Sequence, residues 1–384
     1  MFSQFLFSRF LPDFHHEQPA TKAVFFLAGF ITAAWAAIIP FVKANVQISD
    51  GTMGLMLLCL GGGALVGMPI AGGFSAKYGC RRVLISAVCG CALLFPLLIF
   101  VSSPLALAVV LVLFGTCLGI TDCTMNIQAV MVEKASATPL MSGFHGFYSL
   151  GGMCGALVLT ALLSLGVNVV VACFLTVAFI FALLSLCQVG FRRDIAEQQG
   201  QLFALPKGVV FYIGVVCFVF FLAEGTVLDW SGIFLSEYRA VPNASAGLGV
   251  ACFSVAMTIG RLLGDRAVSY IGAKPMMLLG SLTAMFGFLL SLSLDLWQAA
   301  LVGYSLIGLG CSNIVPILFS ATGKQAEMPE ALAVTAVSTL GYVGVLAGPA
   351  LVGLGAEIYS LPTALFFVVG LIFLATLLSR RIHV

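Results

Sequence analysis

Asp122 and Glu224 are carboxylates set deep inside long apolar runs, and neither run holds a Lys or Arg near its middle. A charge at the centre of a bilayer costs about 2.5–3.5 kcal/mol on insertion scales, so acids retained there usually have a function. An acid can remove that cost by taking up a proton, and a proton that comes and goes can act as a driving ion. The chemistry expected of these two residues is therefore reversible protonation within a membrane. Asp122 and Asn126 lie four residues apart and share one helix face. An acid and an amide on one face can together accept from and donate to a solute hydroxyl. The alternative is that Asp122 is a protonated, hydrogen-bonded packing residue. Glu224 interrupts Phe220-Phe221-Leu222-Ala223 and is followed by Gly225, where backbone could approach a ligand. With no intramembrane cation to pair with, it is expected to exchange a proton; a structural hydrogen bond is the competing reading.

Other polar groups fall at depths where they could line a cavity. His145, Tyr148 and Ser149 form an i, i+3, i+4 set. The imidazole could relay protons or anchor the loop beside Glu133 and Lys134. Ser312 and Asn313 fall in the tenth apolar run and Tyr342 in the eleventh. Trp35, in the first, offers a face on which an apolar sugar surface can stack, although core packing is the default for a lone Trp. Asp229 and Trp230 lie toward the outer end of the seventh run, as gate or rim residues.

The elements that must position these groups are membrane helices. Of 384 residues, 61% are hydrophobic and 8% charged, and the mean hydropathy is +1.14, which excludes an ordinary water-soluble domain. The fold class expected is an all-α membrane protein. Apolar stretches near the length needed to cross a bilayer fall at 23–42, 53–75, 83–101, 105–131, 140–165 and 167–190. Six more follow at 208–234, 245–263, 275–294, 297–321, 331–355 and 361–380. A polar break at 191–207 separates them into an N-terminal half (23–190) and a C-terminal half (208–384), preceded by an N-terminal segment, 1–22. That segment lacks the layout of a cleavable signal and is expected to remain on the cytoplasmic side. With both termini inside, only Lys43 and Arg239 of the 17 Lys and Arg face outward, and Arg261 is counted among the cytoplasmic residues.

The same inventory excludes several functions. A net charge of +2 without a basic tract gives no footprint for nucleic acid. The twelve cysteines form no CxxC or Cys/His cluster, so neither a disulfide framework nor a metal site is expected. No phosphate-binding loop, HExxH or nucleophilic triad is present, so an enzyme, an ATP-driven pump and a cofactor are not expected either. A membrane sensor is disfavoured by short tails. Organic anions and phosphates are generally held by buried Arg or Lys. Since no span centre supplies one in this reading, a neutral polar solute or a cation is favoured.

Gly72-Gly73-Phe74-Ser75-Ala76-Lys77-Tyr78-Gly79-Cys80-Arg81-Arg82 follows the second span, and Gly260-Arg261-Leu262-Leu263-Gly264-Asp265-Arg266, then Tyr270-Ile271-Gly272-Ala273-Lys274, follows the eighth. Their recurrence at equivalent places points to an internal repeat. The chain resembles the major facilitator superfamily, whose loop between helices two and three reads Gly-x-Leu-Ala-Asp-Arg-x-Gly-Arg-Arg. Gly72, Lys77, Gly79, Arg81 and Arg82 match or nearly match, while Ala76 stands at the aspartate position. The resemblance implies twelve helices in two six-helix halves and gating roles for Arg81, Arg82, Arg261 and Asp265, beside the gate or rim position already read for Asp229. Arg261 and Asp265, one turn apart, are expected to pair locally. Gly119-Ile120-Thr121-Asp122-Cys123-Thr124-Met125-Asn126 looks like the acid-x-x-x-Asn segment of fucose-permease-like sugar:proton symporters. The stretches 145–152 and 223–230 look similar to uncharacterised bacterial inner-membrane members near that branch. These resemblances imply a monomeric, proton-coupled secondary transporter of the inner (cytoplasmic) membrane, working by alternating access. Its proton sites would be Asp122 and Glu224. Its neutral, sugar-like solute would meet Asn126, Trp35, Asn313, Tyr342, His145 and Tyr148. Proton-driven efflux of amphipathic or cationic compounds is the alternative, for which the many Phe and Met could furnish an adaptable cavity.

Overall fold

The computed structural model describes residues 14–193, 205–242 and 245–382. Most of the expected N-terminal segment (1–13) and of the central loop (194–204) lies outside the described residues. Thirteen α-helices make up the described chain: α1 Phe14–Val46, α2 Asp50–Tyr78, α3 Cys80–Phe100, α4 Pro104–Lys134, α5 Met141–Ser164, α6 Val169–Cys187, α7 Gly208–Tyr238, α8 Leu248–Ile271, α9 Ala273–Ser293, α10 Trp297–Cys311, α11 Ile314–Lys324, α12 Glu330–Ile358 and α13 Leu361–Leu378. They supply twelve segments long and apolar enough to cross a membrane, because α10 and α11 together form one, Trp297–Lys324. Long apolar side chains are exposed on most helices, including Leu93, Leu105, Leu157, Leu186 and Leu354, as expected of a surface that lipid covers.

Two compact units result. The first comprises Met1–Val132 and Phe147–Phe203, the second Glu133–Gly146 and Ala204–Val384. In the first, α3 packs on α6, while glycines bring α1 onto α5 and α2 onto α4. In the second, α7 packs on α12, α8 on α10 and α9 on α13. First-with-fifth, second-with-fourth and third-with-sixth pairing thus recurs in both, the physical content of the repeat legible in the loop motifs. The motifs themselves fold alike. Gly79 (φ 79°) ends α2 and opens α3, and Gly272 (φ 88°) ends α8 and opens α9. Each bonds its N–H back one turn at 2.9 Å, Gly79 to the Ser75 carbonyl and Gly272 to that of Val268. A one-residue corner at such φ favours glycine, which has no Cβ to clash.

Close helix approach in the first unit also depends on missing side chains. A Cβ at Gly115 on α4 would run into the Leu60 carbonyl of α2, and one at Gly119 into Ala64. In lipid there is little hydrophobic gain from helix association, so such backbone contact carries much of the packing. Gly115→Ala is expected to lower stability by about 1–3 kcal/mol, the usual cost of overpacking. Thermal unfolding in detergent measures this, and an unchanged midpoint would refute tight α2–α4 contact.

The helix ends depart from the hydropathy reading in two places. α1 begins at Phe14 and not at 23, because Glu17, which hydropathy places in solvent, is buried and ion-paired to Arg192 at 2.9 Å. Gln128, also fully buried, ties this corner together: its side-chain oxygen accepts from the Arg192 N–H at 2.9 Å. α8 continues to Ile271 and not to 263, because its polar stretch 261–270 stays helical.

Candidate functional site

Each unit carries one of the two acids that interrupt the apolar runs, Asp122 and Glu224. On α4, Asp122 is half-buried, and its carboxylate has no hydrogen-bond or ion-pair partner among the described residues. One turn on, Asn126 is buried and its Nδ2 donates to the Asp122 main-chain oxygen at 2.9 Å. That bond fixes the amide and leaves Asn126 Oδ1 as a buried acceptor with no donor among the described residues. Two oxygen acceptors, one of them a carboxylate, are therefore held on one helix face by rigid α4. Trp35 does not join them as an open platform. It is 4% exposed and meets Phe114 edge-on with centroids 6.3 Å apart, so it packs in the core.

Glu224 on α7 is differently placed. Its Oε2 accepts from Arg261 Nη2 of α8 at 3.4 Å, and both residues are more than nine-tenths buried. This corrects two expectations. Arg261, expected at the cytoplasmic end of its span, lies near the middle of its helix, and the span interiors are not free of cations. A charge ends a hydropathy run whether or not the helix ends there, so Arg261 was placed at the helix terminus although it lies near the middle of α8. The argument that disfavoured organic anions falls with it. Glu224 keeps one buried oxygen, Oε1, without a partner among the described residues, so the pair satisfies only part of the carboxylate's acceptor capacity.

His145, at the start of α5, is buried and its ring stacks on Phe319 of α11, 5.7 Å between centroids. Its imidazole lies within electrostatic reach of Arg261. Asn313 sits at the break between α10 and α11, a discontinuity the sequence reading missed. Its signal was Pro316, which has no N–H to bond the carbonyl four residues back, at Ser312. The freed geometry is tied by Asn313 Nδ2, which donates to Gly260 O at 3.1 Å and Ser312 Oγ at 2.8 Å. Tyr342 on α12 and Tyr148 on α5 are half-buried. Asp229 is exposed on α7, while Trp230 donates its indole N–H to the Pro349 carbonyl at 3.2 Å.

The expected gating residues have identifiable jobs. Leu140, which precedes α5, has no side-chain acceptor, and carboxylates from elsewhere satisfy the first N–H groups of the helix. Asp265 Oδ1 and Oδ2 accept from Ser142 and Gly143, each at 2.9 Å, and Glu133 Oε2 accepts from Leu140 and Met141 at 2.7 and 2.8 Å. Lys134 pairs with Glu330 at the start of α12. In the first unit Arg81 donates its main-chain N–H to the Arg192 carbonyl at 2.9 Å, and Arg82 is exposed. Counted from the glycine corners, Ala76 lies three residues before Gly79 and corresponds to Ser269, whereas Asp265 lies seven before Gly272 and corresponds to Gly72.

Twelve spans among the described residues, a six-helix pattern repeated with glycine corners at the same places, and a buried or half-buried acid near mid-span in each half describe a transporter fold. The sequence pattern of the Major Facilitator Superfamily matches residues 23–239. The chain belongs to that superfamily. It is 45% identical over 366 residues to an uncharacterised MFS-type transporter of Yersinia pestis, covering 95% of each chain. Among solved structures it is similar to the Escherichia coli fucose:proton symporter FucP, with a TM-score of 0.78 at 15% identity, over 96% of this chain and 98% of that one. The human organic anion transporter MFSD10 aligns nearly as well, with a TM-score of 0.77 at 15% identity over 96% and 99%. The chain is therefore a multi-pass membrane transporter and not an enzyme. At such identity the two solved structures share its fold, while their solutes differ.

Proposed function

We propose that the chain is a proton-coupled secondary transporter that moves a polar, sugar-like solute by alternating access, with both termini on the cytoplasmic side of the inner membrane. The observation that carries this reading is Asp122, an intramembrane carboxylate without a partner among the described residues, beside a fixed amide acceptor. Such a group is costly as an anion and gains a donor when it takes up a proton or meets a hydroxyl. Its segment matches the acid-x-x-x-Asn pattern of fucose-permease-like symporters, and FucP shares the fold. Glu224 takes the second proton role, tempered by Arg261.

Arg261 favours one further reading, an organic anion as solute. A buried guanidinium offers charge-assisted bonds to a carboxylate or phosphate once Glu224 is protonated. Glu224→Gln separates the two. Under the sugar reading, solute binding survives and its dependence on pH shifts. Under the anion reading, the variant binds anions at neutral pH more tightly than the parent does. A titration of solute-dependent thermal stabilisation across pH checks this, and an unaltered profile would make Glu224 structural.

A further inference from the structure

The second unit has a cleft of about 480 Å³ where α7 begins, α11 ends and the chain passes beyond α13. The basic residues Lys324 and Arg381 line it, together with Tyr212, Gly208 and Glu327. Its acid is engaged. Glu327 Oε2 accepts from the Val209 N–H at 3.0 Å, at the N-terminus of α7. The carboxylate occupies the space that a side chain at residue 208 would fill, and Gly208 there has a φ of 52°. The two cations are not so engaged. Neither Lys324 nor Arg381 has a carboxylate partner among the described residues. Arg381 is held in position by Tyr212, whose hydroxyl accepts from Nη1 at 3.1 Å while the guanidinium carbon lies 5.4 Å from the ring centroid.

Depth along the helices identifies the ligand chemistry. The membrane-crossing segments Gly208–Tyr238 and Trp297–Lys324 start and stop at this cleft, and Leu361–Ser379 ends two residues before Arg381. The cleft therefore lies at the level of lipid headgroups, on the side that the distribution of Lys and Arg assigns to the cytoplasm. Basic pockets between membrane helices on that side suit anionic headgroups, and a guanidinium beside an ammonium matches a phosphate. We propose that this cleft binds a phosphate group, that of an anionic phospholipid from the surrounding leaflet. The site lies apart from the acids assigned to transport, so it stands or falls independently of the solute.

The test is a lipid-binding titration of the purified full chain in neutral detergent, with phosphatidylglycerol, phosphatidylcholine and inorganic phosphate as probes. Phosphatidylglycerol should bind in preference to phosphatidylcholine. In Lys324→Gln/Arg381→Gln its apparent affinity should fall about thirtyfold, roughly fivefold for each basic residue near the membrane surface. Lys324→Arg should retain the preference, and equal unfolding midpoints in phosphatidylcholine show that the variants are folded. Failure of millimolar phosphate to displace the lipid supports the headgroup as source. Displacement that depends on Lys324 and Arg381 upholds the phosphate site but assigns it to a soluble phosphate. Equal binding of both lipids by the parent, or a preference untouched in the double variant, overturns the proposal.

Discussion

Asp122→Asn is expected to abolish uphill accumulation of solute while leaving solute exchange across the membrane measurable. One proton moved with each solute lets a tenfold proton gradient, about 1.4 kcal/mol, sustain about a tenfold solute gradient. An amide keeps the size and an acceptor oxygen of the carboxyl but carries no exchangeable charge. Binding and conformational cycling therefore persist, and the accumulation ratio drops from about ten toward one. Asn126 remains fixed to the Asp122 main chain in the variant, because its 2.9 Å bond uses the backbone oxygen. Proteoliposomes preloaded with labelled solute read the two activities separately. Accumulation that persists in the variant removes Asp122 from coupling, and loss of exchange as well makes it a binding or packing residue.

Arg261→Gln is expected to be the most destabilising single change at the candidate site. It leaves Glu224 buried without its cation, and breaking a buried ion pair from one side costs about 3–5 kcal/mol. Removing both charges, in Glu224→Gln/Arg261→Gln, should recover most of that loss, since replacing a buried pair whole is often neutral. Reversible unfolding of the parent, both single variants and the double variant gives the coupling. Additive losses would mean that the 3.4 Å pair contributes little and that Arg261 acts through other contacts. Recovered stability in the double variant would also give a folded protein lacking Glu224, in which the proton role proposed for that residue can be tested.

The architecture was largely legible in the sequence. Apolar length fixes a membrane helix almost without tertiary context, since backbone polar groups must be satisfied internally in lipid. Gly79 and Gly272 were legible because a one-residue corner at positive φ favours glycine. Asp122 and Glu224 stood out because a charge in an apolar run is costly. Arg261 was misplaced for the same reason, since hydropathy treats a cation as a helix end even when its partner, here Glu224, is 37 residues away in sequence and adjacent only in space. The capping of α5 by Asp265 and Glu133 was also invisible: an N-terminus without its own Ser, Thr, Asp or Asn advertises only that a partner must exist. Trp35 and Asn313 show a further limit. Type and depth suggest a binding group, but whether a side chain is spent on packing, as in Trp35 against Phe114, depends on neighbours far along the chain.

The most direct test of proton-coupled transport is proton movement itself. Purified protein in proteoliposomes with an internal pH indicator would be challenged with sugars, polyols, amino acids, organic anions and lipophilic cations, without an imposed gradient. The expected result is an internal pH change driven by a polar, sugar-like solute, present in the parent and absent in Asp122→Asn. Solute uptake that proceeds with no pH change, and that an imposed pH gradient does not accelerate, would contradict it.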